Sequence, residues 1–373
     1  MLRLKVEGFR SLRDVDVPLR EGLNLLIGPN GAGKSNLLGA LRLARAVHEE
    51  GLATFVAEAG GANTLLHYGR KVSPSMMMHL TFRQRDGTNW YQMRLEAADD
   101  DSLFFAEESY GFKPPGDAPT SWFSLGPGHR ETRLTFESIK SVGKTARAVR
   151  HCLSQTRFYH FHDTSPAAPL RLTSRGDDDT STLKADGSNL ALLLYTLTHS
   201  EDEDDQRALT TIHDAVRRVA PFIRTLRPTL LGGTSRLGAP AGVRLSWLDE
   251  RGELFGPHQL SDGTLRAIAL FTALAQPRRP DFISVDEPEL GLHPVALEVL
   301  MELARGAART SQVLMSTQSN ALLDYFSPEE VLVAERQDNA STFTRHSEAS
   351  LRQWLDEYTL SDLYNKNLLG GRP

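Results

Sequence analysis

The sequence is poor in cysteine and has no long apolar run, and both shortages limit what the protein can be. Cys152 is the only cysteine in 373 residues, which leaves no internal disulfide and no Cys-x-x-Cys metal site. No stretch reaches the roughly 18 apolar residues of a membrane-spanning helix. The N-terminal MLRLKVEGFRSLRDVDV is charged throughout, unlike a secretory signal. We therefore expect a protein of a reducing compartment, the cytoplasm.

An excess of positive charge is also missing. The chain has 42 Lys and Arg against 47 Asp and Glu, a net charge of −5, so it is not a polycation that coats nucleic acid. Any contact with DNA must come from a local patch. Two patches either follow DNA phosphates or are ordinary solvated faces: Arg130, Arg133, Lys140, Lys144, Arg147 and Arg150, and then Arg217, Arg218, Arg224 and Arg227.

The apolar pattern predicts an α/β protein. LRLKVEGF alternates like a strand, and the apolar run LNLLIG precedes a glycine-rich turn and a helical pattern, which is half of a βαβ unit. Residues 79–97 form two alternating runs around Asp86-Gly87, typical of a hairpin, whereas prolines mark 111–128 as a loop. TRFYHFH at 156–162 and GVRLSWLDERGELF at 242–255 predict a further strand and a second hairpin. From Asp262, helices and strands alternate, which predicts a mostly parallel sheet sandwiched by helices. The sequence has no long heptad array, so we expect no coiled coil.

The clearest motif is Gly28-Pro29-Asn30-Gly31-Ala32-Gly33-Lys34-Ser35, the Gly-x-x-x-x-Gly-Lys-Ser phosphate loop between a predicted strand and helix. Its glycines let backbone N–H groups turn toward phosphate oxygens. Lys34 reaches the β- and γ-phosphates, and the Ser35 hydroxyl is a ligand for Mg²⁺. The predicted nucleotide-binding set from this segment is Asn30, Gly31, Gly33, Lys34, Ser35 and Asn36.

A second motif is the apolar strand FISV, which ends in Asp286-Glu287-Pro288-Glu289. Ligands bind at the carboxyl ends of strands in open α/β sheets. Asp286 suits Mg²⁺ coordination, and Glu287 is placed to polarise the water that attacks the γ-phosphate. Taken alone, an acidic strand end is more often a helix cap, but a phosphate loop in the same chain favours the catalytic interpretation.

The third motif, Leu260-Ser261-Asp262-Gly263-Thr264, opens a long apolar helix. Ser261 is either a simple N-cap or part of a second anion site at a helix N-terminus. The phosphate loop, LSDGT, VDEPE, LGLHP and STQS, in this order, resemble the ATP-binding heads of the ABC superfamily. The resemblance implies a dimer in which Ser261 and Gly263 bind the ATP held by the partner, and in which Leu290–His293 forms a loop that communicates across the interface.

Within this superfamily, the chain is similar to RecF-like and overcoming-lysogenization-defect-like predicted ATPases, relatives of the SMC proteins. The similarity rests on GFRSLRDVDVPLREGLNLLIGPNGAGKSNLL, FYHFHDTS, ADGSNLALLLYTL and YTLSDLYNKNLLGGRP. It implies one ATPase head built from three parts. These are an N-terminal lobe with the phosphate loop and an antiparallel β layer at 1–175, a helical lid insertion at 176–236, and a C-terminal lobe with the remaining motifs at 237–373.

The chain departs from the family pattern at two positions and leaves a third open. Gln318 stands where many ABC heads carry a histidine that senses the γ-phosphate; an amide can donate to phosphate but cannot become a cation. The family's Mg²⁺-facing glutamine is not evident, and His162 or Asp163 in FYHFHD is its expected replacement, or else has a structural role. Arg10 resembles a nucleotide-contacting arginine of related heads, but a solvated surface arginine fits equally well.

The family resemblance implies an ATP-driven switch that dimerises on Mg-ATP and acts on DNA or with a DNA-processing partner, in genome maintenance or anti-phage defence. A nuclease effector is the first alternative. Only residues 319–373 follow Gln318, fewer than the about 100 residues of a catalytic domain, so we expect any nuclease to be a separate chain. A transporter subunit is a second alternative, disfavoured by the helical insertion and by LSDGT in place of a Gly-Gly element.

Overall fold

The order of strands and helices follows the predicted α/β pattern. The structure is a computed structural model, and it describes residues 1–116, 119–134, 143–234 and 240–371. Lys140 of the first basic patch lies outside these residues. The strands are β1 Arg3–Phe9, β2 Leu12–Pro18, β3 Leu23–Ile27, β4 Ser75–Gln84, β5 Gly87–Ala97, β6 Leu103–Lys113, β7 Ser121–Ser124, β8 Thr156–Tyr159, β9 Ser174–Arg175, β10 Thr225–Leu226, β11 Thr229–Thr234, β12 Pro240–Arg244, β13 Trp247–Leu248, β14 Leu254–Phe255, β15 Phe282–Asp286, β16 Gln312–Thr317, β17 Val331–Gln337 and β18 Ala340–Arg345.

The helices are distributed along the whole chain. They are α1 Lys34–His48, α2 Leu52–Glu58, α3 Ala62–Leu65, α4 Lys144–Ser154, α5 Leu190–His199, α6 Glu203–Val219, α7 Asp262–Ala275, α8 Pro294–Ala307, α9 Glu348–Leu355 and α10 Leu360–Asn365, with 3₁₀ turns at Pro169–Arg171, Pro257–Gln259, Asn320–Tyr325 and Pro328–Glu330. Among the described residues, every helix is too short or too polar to cross a lipid bilayer.

The chain forms two compact units, and they divide it differently from the predicted lobes. One unit contains Met1–Thr156 and Phe326–Pro373, and the other contains Arg157–Tyr325. The C-terminal residues join the N-terminal unit because β17 pairs in parallel with β3, with Val333 opposite Ile27. The three-part organisation of one ATPase head stays a prediction.

The first unit contains an antiparallel sheet of strand order β2-β1-β4-β5-β6-β7, and the strands β18, β17 and β3 lie side by side in this order. The predicted hairpin around Asp86-Gly87 forms between β4 and β5, with Gln84 opposite Gly87. Alternation in β1 buries Leu4 and Val6 completely, as expected for a sheet with one face on the core.

The prediction of a loop over 111–128 is wrong for its central residues, because Ser121–Ser124 forms β7 on the edge of this sheet. Trp122 pairs with Gly111 of β6, and its ring lies against that of Trp90 of β5, tilted by 38° with centroids 3.9 Å apart. A Cβ at Gly111 would lie 2.1 Å from the Trp90 ring. The glycine therefore makes room for two tryptophans from strands on either side of it, a contact that local turn signals do not reveal.

In the second unit, β16, β15 and β8 lie side by side, and β15 and β16 are parallel. The strand predicted at 156–162 is shorter than expected, since β8 ends at Tyr159. The helical insertion predicted at 176–236 contains α5 and α6 but is not helical to its end. Pro221 follows α6, and Thr225–Leu226 pairs as a strand with Trp247–Leu248. Of the hairpin predicted at 242–255, β13 and β14 pair with each other, whereas β12 pairs with β11 and β9.

A buried carboxylate ties residues 129–133 to the antiparallel sheet. Glu108 of β6 is fully buried and accepts hydrogen bonds from the Tyr91 hydroxyl at 2.6 Å, His129 Nε2 at 2.7 Å and the Arg133 backbone N–H at 2.9 Å. It also accepts one from Thr132 Oγ1. Burial, followed by the nearby Glu108 charge, raises the pKa of Tyr91 well above its usual value. The carboxylate is thus surrounded by donors, as a buried charge requires.

Glu108→Gln should lower the free energy of unfolding by about 1–3 kcal/mol, because an amide nitrogen would replace an oxygen acceptor among these donors. Denaturant unfolding of the full chain measures the change. The matched control is Glu107→Gln, one residue earlier on β6, whose side chain is 41% exposed and faces Arg94; its cost should stay within about 0.5 kcal/mol. Equal effects of the two substitutions would contradict a stabilising role of the Glu108 network.

Candidate functional site

The phosphate-loop motif folds as a turn between a buried strand and a helix. All residues of β3 are buried, and α1 begins at Lys34, immediately after Gly33. Gly31 and Gly33 have φ values of 79° and 106°, in the left-handed region that glycine adopts without a steric penalty. The Lys34 ammonium lies against the loop backbone and donates to the carbonyl oxygens of Gly28 at 2.5 Å and Pro29 at 3.0 Å.

The base of the loop is held by hydroxyl and amide groups from three parts of the first unit. Ser341 Oγ of β18 lies 2.6 Å from Ser11 Oγ, and Asn36 Nδ2 donates to Ser11 Oγ at 2.6 Å. A Cβ at Gly33 would lie 1.9 Å from Ser341 Oγ. The structure therefore places the Asn36 amide against Ser11, whereas Ser35, in the first turn of α1, has an exposed side chain.

Arg10 lies beside α1 and is not the freely solvated arginine that was one of its two interpretations. Its φ of 47° is left-handed. Its guanidinium carbon is 5.5 Å from the Phe9 ring centroid, and its Nη1 would lie 3.6 Å from a Cβ at Gly39. Burial lowers the pKa of Arg10. His67 Nδ1 is 2.5 Å from the Arg10 carbonyl oxygen, so the segment is held by its backbone as well.

The acidic strand end belongs to the second unit. Asp286 is the last residue of β15 and is paired with Ser316 of β16. Glu287 follows with a φ of 45°, and its N–H donates to the Ser316 carbonyl at 2.7 Å. Glu289 accepts a hydrogen bond from Thr317 Oγ1, and burial raises its pKa. The exposed Gln318 follows β16, so it lies at the same edge of the sheet as the carboxylates.

Two histidines from FYHFHD lie next to these carboxylates. His160 Nδ1 is 3.6 Å from Asp286 Oδ2, and His162 Nε2 is 3.9 Å from Glu287 Oε2. The two rings stack with centroids 3.7 Å apart. Burial, followed by repulsion from His160, lowers the pKa of His162, which favours a neutral ring. His160 was absent from the sequence-based site, although its i, i+2 spacing from His162 places both on one side of an extended segment.

Of the two residues considered for the Mg²⁺-facing position, the structure brings His162 to Glu287. Asp163 instead accepts a hydrogen bond from the Ser165 backbone N–H at 2.9 Å, and its bonds to Ser165 lower its pKa. In the part of the chain that the structure describes, no three His, Cys, Asp or Glu side chains are grouped closely enough to hold a metal.

The helix N-terminus at Ser261 packs directly on the loop after the acidic strand end. Ser261 Oγ accepts a hydrogen bond from the Thr264 N–H at 3.2 Å, as an N-cap does. A Cβ at Gly263 would lie 2.4 Å from the Gly291 carbonyl oxygen. Gly263 is therefore needed for a close contact between two backbone segments. The adjoining loop is open to solvent, with Leu290 44% and Val295 41% exposed.

Two buried arginines hold these segments together, and the sequence-based site contained neither. Arg171 donates to the carbonyl oxygens of Pro257 and Leu260 and, at 2.7 Å, to Asp262 Oδ1. Arg266 of α7 donates to three further carbonyls, those of Phe161 at 2.7 Å, His162 at 3.1 Å and Leu290. A lone arginine within the apolar α7 sequence was the available signal for the second of them.

The predicted site residues thus divide between the two units. The first unit holds Arg10, Asn30, Gly31, Gly33, Lys34, Ser35 and Asn36, and the second holds His162, Ser261, Gly263, Asp286, Glu287 and Gln318. The donor types fit Mg-ATP. In the first unit, a glycine loop with a lysine suits phosphate, and the Ser35 hydroxyl is an oxygen ligand of the kind that Mg²⁺ accepts. In the second unit, Asp286 offers a carboxylate, which Mg²⁺ also binds.

Comparison with known proteins finds similarity to AAA domains and to short segments of DNA-repair proteins. Residues 188–324 match the family described as AAA domain, putative AbiEii toxin, Type IV TA system, and residues 3–104 match an AAA domain. The DNA double-strand break repair Rad50 ATPase of Methanopyrus kandleri is 50% identical over 42 residues, which are 11% of this chain and 5% of that protein. The DNA replication and repair protein RecF of Proteus mirabilis is 46% identical over 39 residues, 10% of this chain and 11% of that protein.

Solved structures show the fold. An SMC head bound to the C-winged helix domain of ScpA matches with a TM-score of 0.61 and 15% identity, covering 94% of this chain and 98% of the other. An Smc head with an extended coiled coil, bound to the C-terminal domain of ScpA from Pyrococcus furiosus, matches with a TM-score of 0.57 and 14% identity. The match covers 95% of this chain and 98% of the other. The predicted α/β fold class, that of an ABC-type head, is therefore confirmed.

Arg266→Met should lower the free energy of unfolding by about 1–3 kcal/mol, since the carbonyls of Phe161, His162 and Leu290 would lose their donor while the apolar stem is kept. Urea unfolding followed by tryptophan fluorescence measures the change. Arg309→Met, at an exposed arginine of the same unit, is the control and should be nearly neutral. If the two variants unfold at the same urea concentration, Arg266 does not hold these segments together.

Proposed function

We propose that this protein, which has the fold of an SMC head and carries AAA-type domains, is an ATP-driven molecular switch of the cytoplasm. Two copies associate when each binds Mg-ATP, and hydrolysis releases them. The observation that carries the proposal is the phosphate loop, whose lysine and left-handed glycines are held in place between β3 and α1. An acidic strand end and a separate helix N-terminus in the same chain supply the other groups that such a cycle requires.

In this proposal, the loop residues Asn30, Gly31, Gly33 and Lys34 bind the phosphates, with Arg10 and Asn36 as flanking groups. Lys34 exchanges its two backbone carbonyl partners for phosphate oxygens, which are stronger acceptors because they are charged. Bound Mg²⁺ would neutralise phosphate charge and would be held by Ser35 and Asp286, with His162 as a further candidate. The lowered pKa of His162 favours the neutral ring that a metal ligand needs.

Glu287 is the proposed general base. Its carboxylate would accept the proton of the attacking water, and its left-handed backbone is held by the bond from its N–H to Ser316. Gln318 follows the neighbouring strand, where its amide could donate to the γ-phosphate. An amide remains neutral throughout, so we expect slower turnover than a cationic histidine would support.

Ser261 and Gly263 are proposed to act on the ATP of a partner copy. The support is a helix N-terminus whose N-cap hydroxyl is exposed, next to a loop with exposed Leu290 and Val295. Exposed apolar residues beside an anion-binding helix end fit an intermittent protein contact better than a permanently solvated surface. Leu290–His293 would then be the segment that senses the partner.

The relatives suggest a role in DNA repair or chromosome dynamics, because the matched proteins are named for double-strand break repair, replication and repair, or chromosome partition. The SMC heads with this fold are bound to ScpA, which supports a partner protein for this chain as well. The description of the family matched at 188–324 names a toxin of a toxin–antitoxin system. This favours anti-phage defence as a second candidate function. Control of a separate nuclease chain would be one form of it.

Glu287→Gln should keep ATP binding and lower the hydrolysis rate by about 100-fold or more, because the amide fills the same space but does not accept the proton of water. Calorimetry measures binding, and phosphate release measures turnover. The control is Glu298→Gln, an exposed glutamate on α8, which should hydrolyse ATP like the wild type. Wild-type turnover in Glu287→Gln would remove this residue from the mechanism.

Two inactive variants should restore each other if the active site is shared between copies. Ser261→Arg should leave ATP binding by the monomer nearly unchanged but block ATP-induced dimerisation, because a bulky cation replaces a small donor. Lys34→Ala should abolish ATP binding. A mixed dimer has one joint site with both defects and one with neither, so mixing should recover partial hydrolysis, provided that one intact site can turn over alone.

Light scattering and ATPase activity at several protein concentrations complete this test. Full activity of a monomer at every concentration would contradict the shared site and leave Ser261 as an ordinary helix cap.

A further inference from the structure

A cavity of about 350 Å³ lies between the phosphate loop and the end of the β17–β18 hairpin. Its lining consists of Pro29, Asn30, Gly31 and Ala32 from the loop and Glu335, Arg336 and Gln337 from the hairpin. The volume is at the lower end of the range for small-molecule sites. It suits a phosphate group with a few water molecules better than a whole nucleotide.

The register of the hairpin shows that Arg336 lies on its loop-facing side. Arg336 is paired with Ser341, and residues directly opposite in an antiparallel pair share one face of the sheet. Ser341 is the residue whose Oγ contacts Ser11 and excludes a Cβ at Gly33. Arg336 therefore belongs to the face that contacts the phosphate loop, which agrees with its place in the cavity wall.

The charge of Arg336 is not neutralised by the neighbouring acid. Glu335 alternates to the other face, where its carboxylate accepts a hydrogen bond from the Gly371 N–H at 2.8 Å. Arg336 is exposed and makes no ion pair with any residue that the structure describes. At Gly31, on the opposite wall, a Cβ would have no atom within 4 Å. The loop wall of the cavity therefore has open space at Gly31.

We propose that Arg336 is a nucleotide-binding residue that contacts the terminal phosphate of a nucleoside triphosphate held in the phosphate loop. The inference rests on the proposed function, and it adds a cation from the C-terminal hairpin that none of the three sequence motifs contains. A guanidinium carries five N–H donors in a planar arrangement that matches phosphate oxygens. Arg336 lines the cavity together with Asn30–Ala32. An arginine that contacts the terminal phosphate would distinguish a triphosphate from a diphosphate, which lacks that group.

Calorimetric titration of the full chain with ATP and with ADP tests this assignment. Arg336→Ala should raise the Kd for ATP by about 10- to 100-fold, the loss typical of one hydrogen-bonded charge, and should change the Kd for ADP by less than about threefold. Arg336→Lys should retain part of the ATP affinity, because the charge remains while the planar donors are lost. Arg352→Ala, at an exposed arginine of the same unit, is the matched control and should bind both nucleotides like the wild type.

Several outcomes would overturn the assignment. The first is an unchanged Kd for ATP in Arg336→Ala, and the second is an equal loss for ATP and ADP. A third is loss of ATP-induced dimerisation, measured by analytical ultracentrifugation, with unchanged ATP affinity of the monomer, which would assign Arg336 to contact with a second copy. Failure of the proposed function looks different, because the wild type would then not bind ATP, or Lys34→Ala would bind it equally well.

Discussion

The close approach of the β17–β18 hairpin to the phosphate loop is the constraint on which the first unit depends. A Cβ at Gly28 would lie 2.3 Å from the Ala334 carbonyl oxygen, and one at Gly33 would lie 1.9 Å from Ser341 Oγ. Both glycines are needed for contact with the hairpin, and Gly33 is needed for its left-handed backbone as well. The hairpin reaches the loop because β17 pairs with β3. The shape of an N-terminal motif therefore depends on C-terminal residues.

In the second unit, separate segments are joined by hydrogen bonds from two buried arginines to backbone carbonyls. A buried cation is costly unless its donors are satisfied, and Arg171 and Arg266 satisfy theirs mainly with main-chain oxygens. These carbonyls come from the segment before α7, the end of the FYHFHD segment and the loop after Glu289. The helix N-terminus, the histidine segment and the loop after the acidic strand end are in this way held together mainly by bonds to main-chain oxygens, with the Arg171–Asp262 ion pair beside them.

Two of the predicted site residues have a backbone conformation that is costly for residues other than glycine. Arg10 and Glu287 both have left-handed backbones, a conformation that costs a residue other than glycine about 1–3 kcal/mol. In each case backbone hydrogen bonds hold it, from Arg10 to Leu65 and from Glu287 to Ser316. The bond from the Glu287 N–H to Ser316 therefore fixes the backbone from which this carboxylate extends.

The sequence by itself determined the features that depend on residues close together in the chain: the phosphate loop, the acidic strand end, the N-cap at Ser261 and the hairpin at Asp86-Gly87. Only the tertiary structure decided the rest. β7 pairs with β6, and its Trp122 ring lies against Trp90 across Gly111. β18 turns back through Asp338 and Asn339, both left-handed, to reach Ser11. The carboxylates beside the two histidines, the carbonyls around the two buried arginines and the loop that Arg336 faces are all distant from them in sequence. Local propensity contains no information about such partners, because their contacts form only when separate strands and helices pack together.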